Sequence, residues 1–237
     1  MNAAGRVGLL GGTLDPIHEG HMEAAKAART ALALDRVIVL PSRIPPHRLL
    51  EPVASRYHRF AMAALAVNGI AGLSASDLEL CSPGLSYTAD TLVRFREHTA
   101  LDASQIFFIT GADAFAEIAT WHRYPEVLDL ANFVVISRPG FPADRLLRRL
   151  PSLAGRMRIV ADSGVQAPGS GCDESCGIFL VDAATPDISS TEVRRRLSAG
   201  ENLTGLVPLP VERHIIQHGL YTRTSAHPTA NHLHGEN

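Results

Sequence analysis

The sequence predicts an α/β fold: a Rossmann-like, doubly wound parallel sheet with helices on both faces and a small C-terminal helical portion. Three observations carry this. Short apolar runs, several of them β-branched, alternate along the chain with helix-forming stretches. The runs are continuous, as expected of strands buried on both sheet faces. Most stop at glycine or proline: Gly11-Gly12, Pro41, Gly111 and Pro139-Gly140. In such sheets ligands bind at the carboxyl ends of the strands, near the topological switch point. Function is therefore to be sought in the loops that follow strands.

In order, residues 7–10 form a short apolar run halted by Gly11-Gly12 and predict a buried strand. Residues 20–34, rich in Ala with Met, Lys, Glu and Arg, predict a helix. Val37-Ile38-Val39-Leu40 predicts the second strand, and residues 56–67 the next helix. Residues 73–80 alternate well enough for an edge or exposed strand, and 88–96 read as helix. Residues 105–110 and 132–137 repeat the apolar style, 178–181 predict the last strand, and 191–197 and 211–218 predict short helices. One domain over residues 1–223 follows. Residues 162–177, rich in Gly, Ser, Pro and Cys, predict an exposed or mobile loop. Residues 224–237, polar with Pro228 and three histidines, predict a disordered tail. There is no internal repeat.

The chain has 237 residues, 46% hydrophobic and 19% charged, enough to bury a core without disulfides or metal. The 22 basic and 24 acidic residues give a formal charge of −2. No basic excess points to nucleic acid, so any phosphate site has to be local. Cys81, Cys172 and Cys176 are too few and odd in number for a disulfide scaffold, and fit a reducing compartment. The first apolar run is too short for a signal peptide. No apolar stretch approaches the roughly 18 residues of a membrane span. The expectation is a cytoplasmic protein without membrane contact.

The strongest motif is Gly11-Gly12-Thr13-Leu14-Asp15-Pro16-Ile17-His18-Glu19-Gly20-His21, directly after the first strand. Two glycines let the backbone turn tightly and approach a phosphate. Gly20 and His21 open a helix, whose free N–H groups and positive dipole end suit an anion. His18 and His21, three apart, share one side of that first turn, where two imidazoles can donate to phosphate oxygens. A bare His-x-x-His pair is usually a surface or chance metal pair; the strand–GlyGly–turn–helix setting reverses that reading. No Walker A loop or Gly-x-Gly-x-x-Gly fingerprint is present. Asp15 and Pro16 read as turn formers.

Other strand-end loops carry weaker signals. Arg43, His47 and Arg48 in a Pro-rich loop read equally as a phosphate clamp or a solvated basic loop. Thr88 and its neighbours read as a carboxylate-binding helix start or as simple capping, and Asp90 and Thr91 as capping alone. Trp121, the only tryptophan, sits in a polar Trp-His-Arg-Tyr setting unusual for core, and its indole suits an electron-poor ring. Ser137 and Arg138 make a turn after a strand. Ile188-Ser189-Ser190-Thr191, with Arg194 one turn on, reads as an anion site or as a capping arrangement. Cys172 and Cys176 are weak evidence for metal or redox function.

Gly-Gly-Thr-Leu-Asp-Pro followed by His-x-Gly-His resembles the nucleotidyltransferase superfamily, and is most similar to bacterial nicotinate-nucleotide adenylyltransferases. The resemblance spans roughly residues 7–221. It departs at Leu14, where the family has Phe, and at Arg48, where it has Lys. It implies transfer of AMP from ATP to nicotinate mononucleotide, by in-line attack without a covalent enzyme intermediate. The implied catalytic residues are His18, His21 and Arg194. The implied ATP contacts are Gly11, Gly12, Thr13, both histidines, Ser137, Arg138, Ile188, Ser189, Ser190 and Arg194. The implied mononucleotide contacts are Thr13, His47, Arg48, Tyr87, Thr88, Asp113 and Trp121. Mg²⁺ would accompany ATP, held by phosphates and water rather than by a dedicated protein cage. Another branch of the superfamily and a non-catalytic nucleotide sensor are the rival readings. The Tyr87–Thr88 and Trp121 segments favour the nicotinate branch, and both histidines with Arg194 favour catalysis. Acid or amide preference and oligomeric state, homo-oligomer included, stay open.

Overall fold

The computed structural model describes residues 5–46, 53–160 and 176–222. Seven strands form one sheet: β1 (Val7–Gly12), β2 (Arg36–Pro41), β3 (Leu73–Ala75), β4 (Ile106–Gly111), β5 (Asn132–Ile136), β6 (Met157–Val160) and β7 (Ile178–Val181). Their order is β3-β2-β1-β4-β5-β7-β6 and every pairing is parallel. The chain winds outward from β1 through β2 to β3, then returns to place β4 on the other side of β1. The switch point therefore lies between β1 and β4, and the loops leaving these strands diverge around a crevice.

The helices are α1 (Glu19–Ala31), α2 (Arg56–Val67), α3 (Thr88–Thr99), α4 (Ala112–Phe115), α5 (Leu146–Arg149), α6 (Ser190–Ser198) and α7 (Leu209–Gln217). Successive strand residues feed two cores. Phe107, Ile109, Val134 and Ile136 pack with Met22, Ala25, Met62, Val193 and Val211 from α1, α2, α6 and α7. Ile106, Phe108, Phe133 and Val135 pack with Leu92, Phe95 and Phe115 from α3 and α4. Both faces are covered, which is why the strands read as continuous apolar runs. Burying each large side chain contributes roughly 1.5–3 kcal/mol. Gly8 is required on the α1 side: a Cβ there would lie 2.9 Å from Leu34 and Val37 and 3.0 Å from Ile109. The C-terminal helices α6 and α7 close that same layer.

Three expectations are corrected. The strand expected over residues 73–80 ends at Ala75, because Asp77 accepts backbone bonds from Leu80 and Cys81 and turns the chain. Strand β6 was not expected: it is an edge strand with Arg158 and Ile159 exposed, so its sequence lacks the buried signature. The exposed loop expected over 162–177 meets the described residues only at its end. There Cys176 is buried and the Gly177 N–H donates to Asn132 Oδ1 at 2.8 Å. Cys172 and the expected tail lie outside the described residues. Among the described residues no helix is long and apolar enough to cross a membrane.

Candidate active site

The loop leaving β1 is fixed by Asp15. Its carboxylate is buried and accepts the N–H groups of Val53 (2.8 Å) and Ala54 (3.0 Å) and the Tyr221 hydroxyl (2.8 Å). Two residues from the far end of the chain close on this loop. Ser190 Oγ donates to the Pro16 carbonyl at 2.9 Å, and Arg194 Nη1 donates to the Asp15 carbonyl at 2.6 Å. Ser189 caps α6 by accepting from Glu192 N at 3.2 Å. The capping reading of this cluster thus holds for Ser189, while Ser190 and Arg194 tie the β1 loop to α6.

His18 sits at the N-cap of α1 and His21 in its first turn, with ring centroids 3.7 Å apart. The His18 backbone N–H donates to His21 Nδ1 at 3.2 Å. Burial, with the Arg138 charge second, holds the His18 pKa down at about 4. Burial, then His18 and Arg138, holds His21 well below the usual imidazole range. Both rings are neutral at pH 7. Because His21 Nδ1 accepts, its proton resides on Nε2, which is then a neutral donor. Gly20 is needed between them: a Cβ there would lie 3.0 Å from His18 Nδ1.

Two cavities flank the switch point and share Gly11, Thr110 and Ala114. One, of ≈ 190 Å³, is lined by His18, Gly20, His21, Asp113, Arg138 and Pro186. The other, of ≈ 280 Å³, is lined by Gly12, Thr13, Glu79, Tyr87, Thr88 and Trp121. Trp121 packs edge-on against Phe108 and Phe133, both centroids 6.2 Å away. It is core on one side and cavity wall on the other. Tyr87 stacks on His122 at 4.3 Å. The first N–H groups of α3, which have no intrahelical acceptor, receive no side-chain cap from Tyr87.

Three comparisons bear on this arrangement. The cytidylyltransferase-like family model matches residues 9–196. A protein of Desulfatibacillum aliphaticivorans named "Probable nicotinate-nucleotide adenylyltransferase" is 37% identical over 228 residues, covering 91% of this chain and 99% of its own. One of the same name from Chromohalobacter salexigens is 39% identical over 218 residues, covering 91% and 95%. The chain belongs to the cytidylyltransferase-like family, among the nicotinate-nucleotide adenylyltransferases. Its fold matches that of a solved Plasmodium falciparum nicotinic acid mononucleotide adenylyltransferase complexed with NaAD. That match has a TM-score of 0.69 at 18% identity and covers 92% of this chain and 97% of the other.

Within this adenylyltransferase the residues expected at the site divide as follows. Tyr87, Thr88, Thr13 and Trp121 share the tryptophan cavity, where Gly12 also lies. Asp113 instead lines the histidine cavity, 3.3 Å from Arg138, whose Nη2 donates to the Ile188 carbonyl at 3.3 Å. Ser137 lines neither cavity. Its Oγ accepts from Ala143 N at 2.9 Å and its carbonyl from Thr185 Oγ1 at 3.1 Å. Arg43 braces its loop: its Nη1 donates to the Ser82 carbonyl at 2.7 Å and its backbone N–H to Ser86 Oγ at 2.8 Å. His47 and Arg48 lie outside the described residues.

Two residues were missed. Arg59 is buried on α2 and donates to the carbonyls of Thr13 (2.8 Å), Arg43 (3.1 Å), Ala54 (3.3 Å) and Ser42, fastening the loops after β1 and β2 together. A signal existed: Arg59, Met62, Ala63, Ala66 and Val67 fall on one helical face, and an arginine amid that apolar stripe is anomalous. Glu79 is buried in the wall of the tryptophan cavity, accepts from Thr91 Oγ1 at 2.8 Å, and has its pKa pushed up by burial. Nothing in its sequence neighbourhood marks it.

Proposed function

We propose that this chain transfers AMP from ATP to nicotinate mononucleotide, giving nicotinate adenine dinucleotide and pyrophosphate in NAD biosynthesis. The carrying observation is the pair of cavities that meet at the switch point, one with neutral imidazoles at a helix start and one walled by tryptophan. Two different nucleotides fit side by side there, with their phosphates at the shared boundary.

In this reading the nicotinate ring lies against Trp121 and its carboxylate meets the free N–H groups at the start of α3. His47 and Arg48 serve the mononucleotide phosphate. ATP lies in the histidine cavity, its phosphates on the start of α1, with Gly11, His18, His21, Ser190 and Arg194 around them. An oxygen of the mononucleotide phosphate attacks the α-phosphorus in line, the new P–O bond forms, and the bond to the β-phosphate oxygen breaks as pyrophosphate leaves. The nucleophile is already anionic, so no general base is required. Positioning supplies ~7–11 kcal/mol. The His21 Nε2–H, a neutral donor aimed at developing charge, supplies roughly 3 kcal/mol.

Asp113 is the one carboxylate among the described residues lining the histidine cavity, and it is paired with Arg138. That donor set fits a divalent cation, Mg²⁺, that arrives with ATP and is held mainly by phosphates and water. When bound, the ion offsets charge on the departing phosphates.

The test is pyrophosphate release from ATP with the acid mononucleotide, the amide mononucleotide, or neither. We expect release with the acid form. Nucleotide binding without release would make the protein a sensor. Release with the amide alone would reassign the acceptor.

A further inference from the structure

A cluster outside both cavities' linings joins α2 to α7. His58 Nδ1 lies 3.1 Å from His214 Nε2, and the ring nitrogens available from His58, His214 and His218 all fall within 4.8 Å of one another. Ring centroids are 5.2 Å apart for His58 and His214, 5.0 Å for His58 and His218, and 4.4 Å for His214 and His218. His214 and His218 are four residues apart, so they share one helix face, the spacing by which a helix offers two imidazoles to one ion. His58 stands in the first turn of α2, set by the Ser55 cap, whose Oγ accepts from His58 N at 3.3 Å.

A hydrogen-bonded imidazole pair needs two histidines, not three. The third adds only repulsion when protonated, unless a cation sits between them. Tetrahedral zinc with Zn–N bonds of roughly 2.0–2.1 Å sets its ligand nitrogens about 3.3 Å apart. The His58–His214 pair already has that spacing, and small side-chain rotations bring in His218.

We propose that His58, His214 and His218 form a binding site for a divalent transition-metal ion of the Zn²⁺ class, with three imidazole ligands and a fourth position open to water. Imidazole donors suit Zn²⁺, Cu²⁺ and Ni²⁺ rather than Mg²⁺, so this site is chemically distinct from the cation that accompanies ATP. Bound metal staples α2 to α7. The staple lies next to Arg59, which fastens the two substrate loops, and just before Tyr221, which holds Asp15.

The full chain, stripped with chelator, is titrated with zinc chloride by calorimetry. Wild type is expected to take up one tight equivalent. His58→Gln and His214→Gln are each expected to weaken it at least as much as loss of an outer-shell partner does, roughly 10–100-fold. His218→Gln, at an exposed helix end, keeps the fold and should weaken it similarly. The tail also carries His227, His232 and His234. Their triple replacement by Asn should leave the tight equivalent intact. The proposal is overturned if wild type takes up no tight equivalent. It is also overturned if that equivalent survives in folded His218→Gln, or disappears with the tail histidines.

Discussion

Replacing Asp15 by Asn tests whether the loop after β1 is held by a buried carboxylate. Oδ1 accepts from Ala54 N and the Tyr221 hydroxyl, and Oδ2 accepts from Val53 N and lies 3.8 Å from Arg194 Nη1. An amide has one acceptor oxygen. In one orientation its NH₂ meets the buried Ala54 N–H at 3.0 Å and in the other the part-buried Val53 N–H at 2.8 Å, and that N–H loses its acceptor, at about 1–3 kcal/mol when buried. The remaining bonds lose the charge that makes them roughly twice as strong as neutral ones. Breaking a buried, charged network of this kind costs about 3–5 kcal/mol. For a chain of this size each kcal/mol moves Tm by roughly 2–4 °C, so the expected fall is about 6–20 °C. Urea denaturation at neutral pH gives the free energy directly. Tyr221→Phe removes one of the same bonds, so its effect should not add to that of Asp15→Asn. An Asp15→Asn midpoint within about 0.5 kcal/mol of the parent, the range of an ordinary surface change, would refute the reasoning.

Three further outcomes are expected. His21→Ala removes the neutral Nε2 donor and should lower kcat about 10²–10³-fold while the folded fraction stays unchanged; wild-type turnover would remove His21 from the site. Trp121→Ala should raise KM for the mononucleotide by about 1–3 kcal/mol of lost stacking and leave KM for ATP alone, as steady-state kinetics in both substrates will show. The raised pKa of Glu79 means its neutral form favours the folded state, a contribution present at low pH and lost as pH rises through the folded value. Glu79→Gln keeps the acceptor for Thr91 and mimics the neutral acid. It should therefore have a higher urea midpoint at neutral pH, with the gap closing at acid pH; a gap constant with pH would count against the assignment.

The parallel sheet was legible because burial on both faces removes all alternation, and β5 and β7 show that pattern plainly. Edge strands lack it: β3 was overextended through Leu80, and β6 escaped notice with two of its four residues exposed. The histidine pair in the cavity wall was readable because it sits within one helical turn, as was the Ser189 cap of α6, whereas the bonds of Ser190 and Arg194 to the Pro16 and Asp15 carbonyls were not. Asp15 was understood only as a turn former, since its partners Val53, Ala54 and Tyr221 lie 38, 39 and 206 residues away. Asp113, expected among the mononucleotide contacts, lines the histidine cavity, and its pairing with Arg138 depends on the register of β4 against β5. Long-range pairing is what local spacing cannot report.

Gly11, Thr110 and Ala114 belong to the walls of both chambers, so the two stand as neighbours across a shared partition. In the proposed placement the reactants enter as separate guests on either side, and the dinucleotide they become lies astride the boundary, gripped at both ends by a single tether. Such a bivalent occupant holds on more tightly than either half. That placement predicts that departure of the finished molecule, rather than the making of its phosphoanhydride, sets the pace of turnover, which a pre-steady-state burst of pyrophosphate would report.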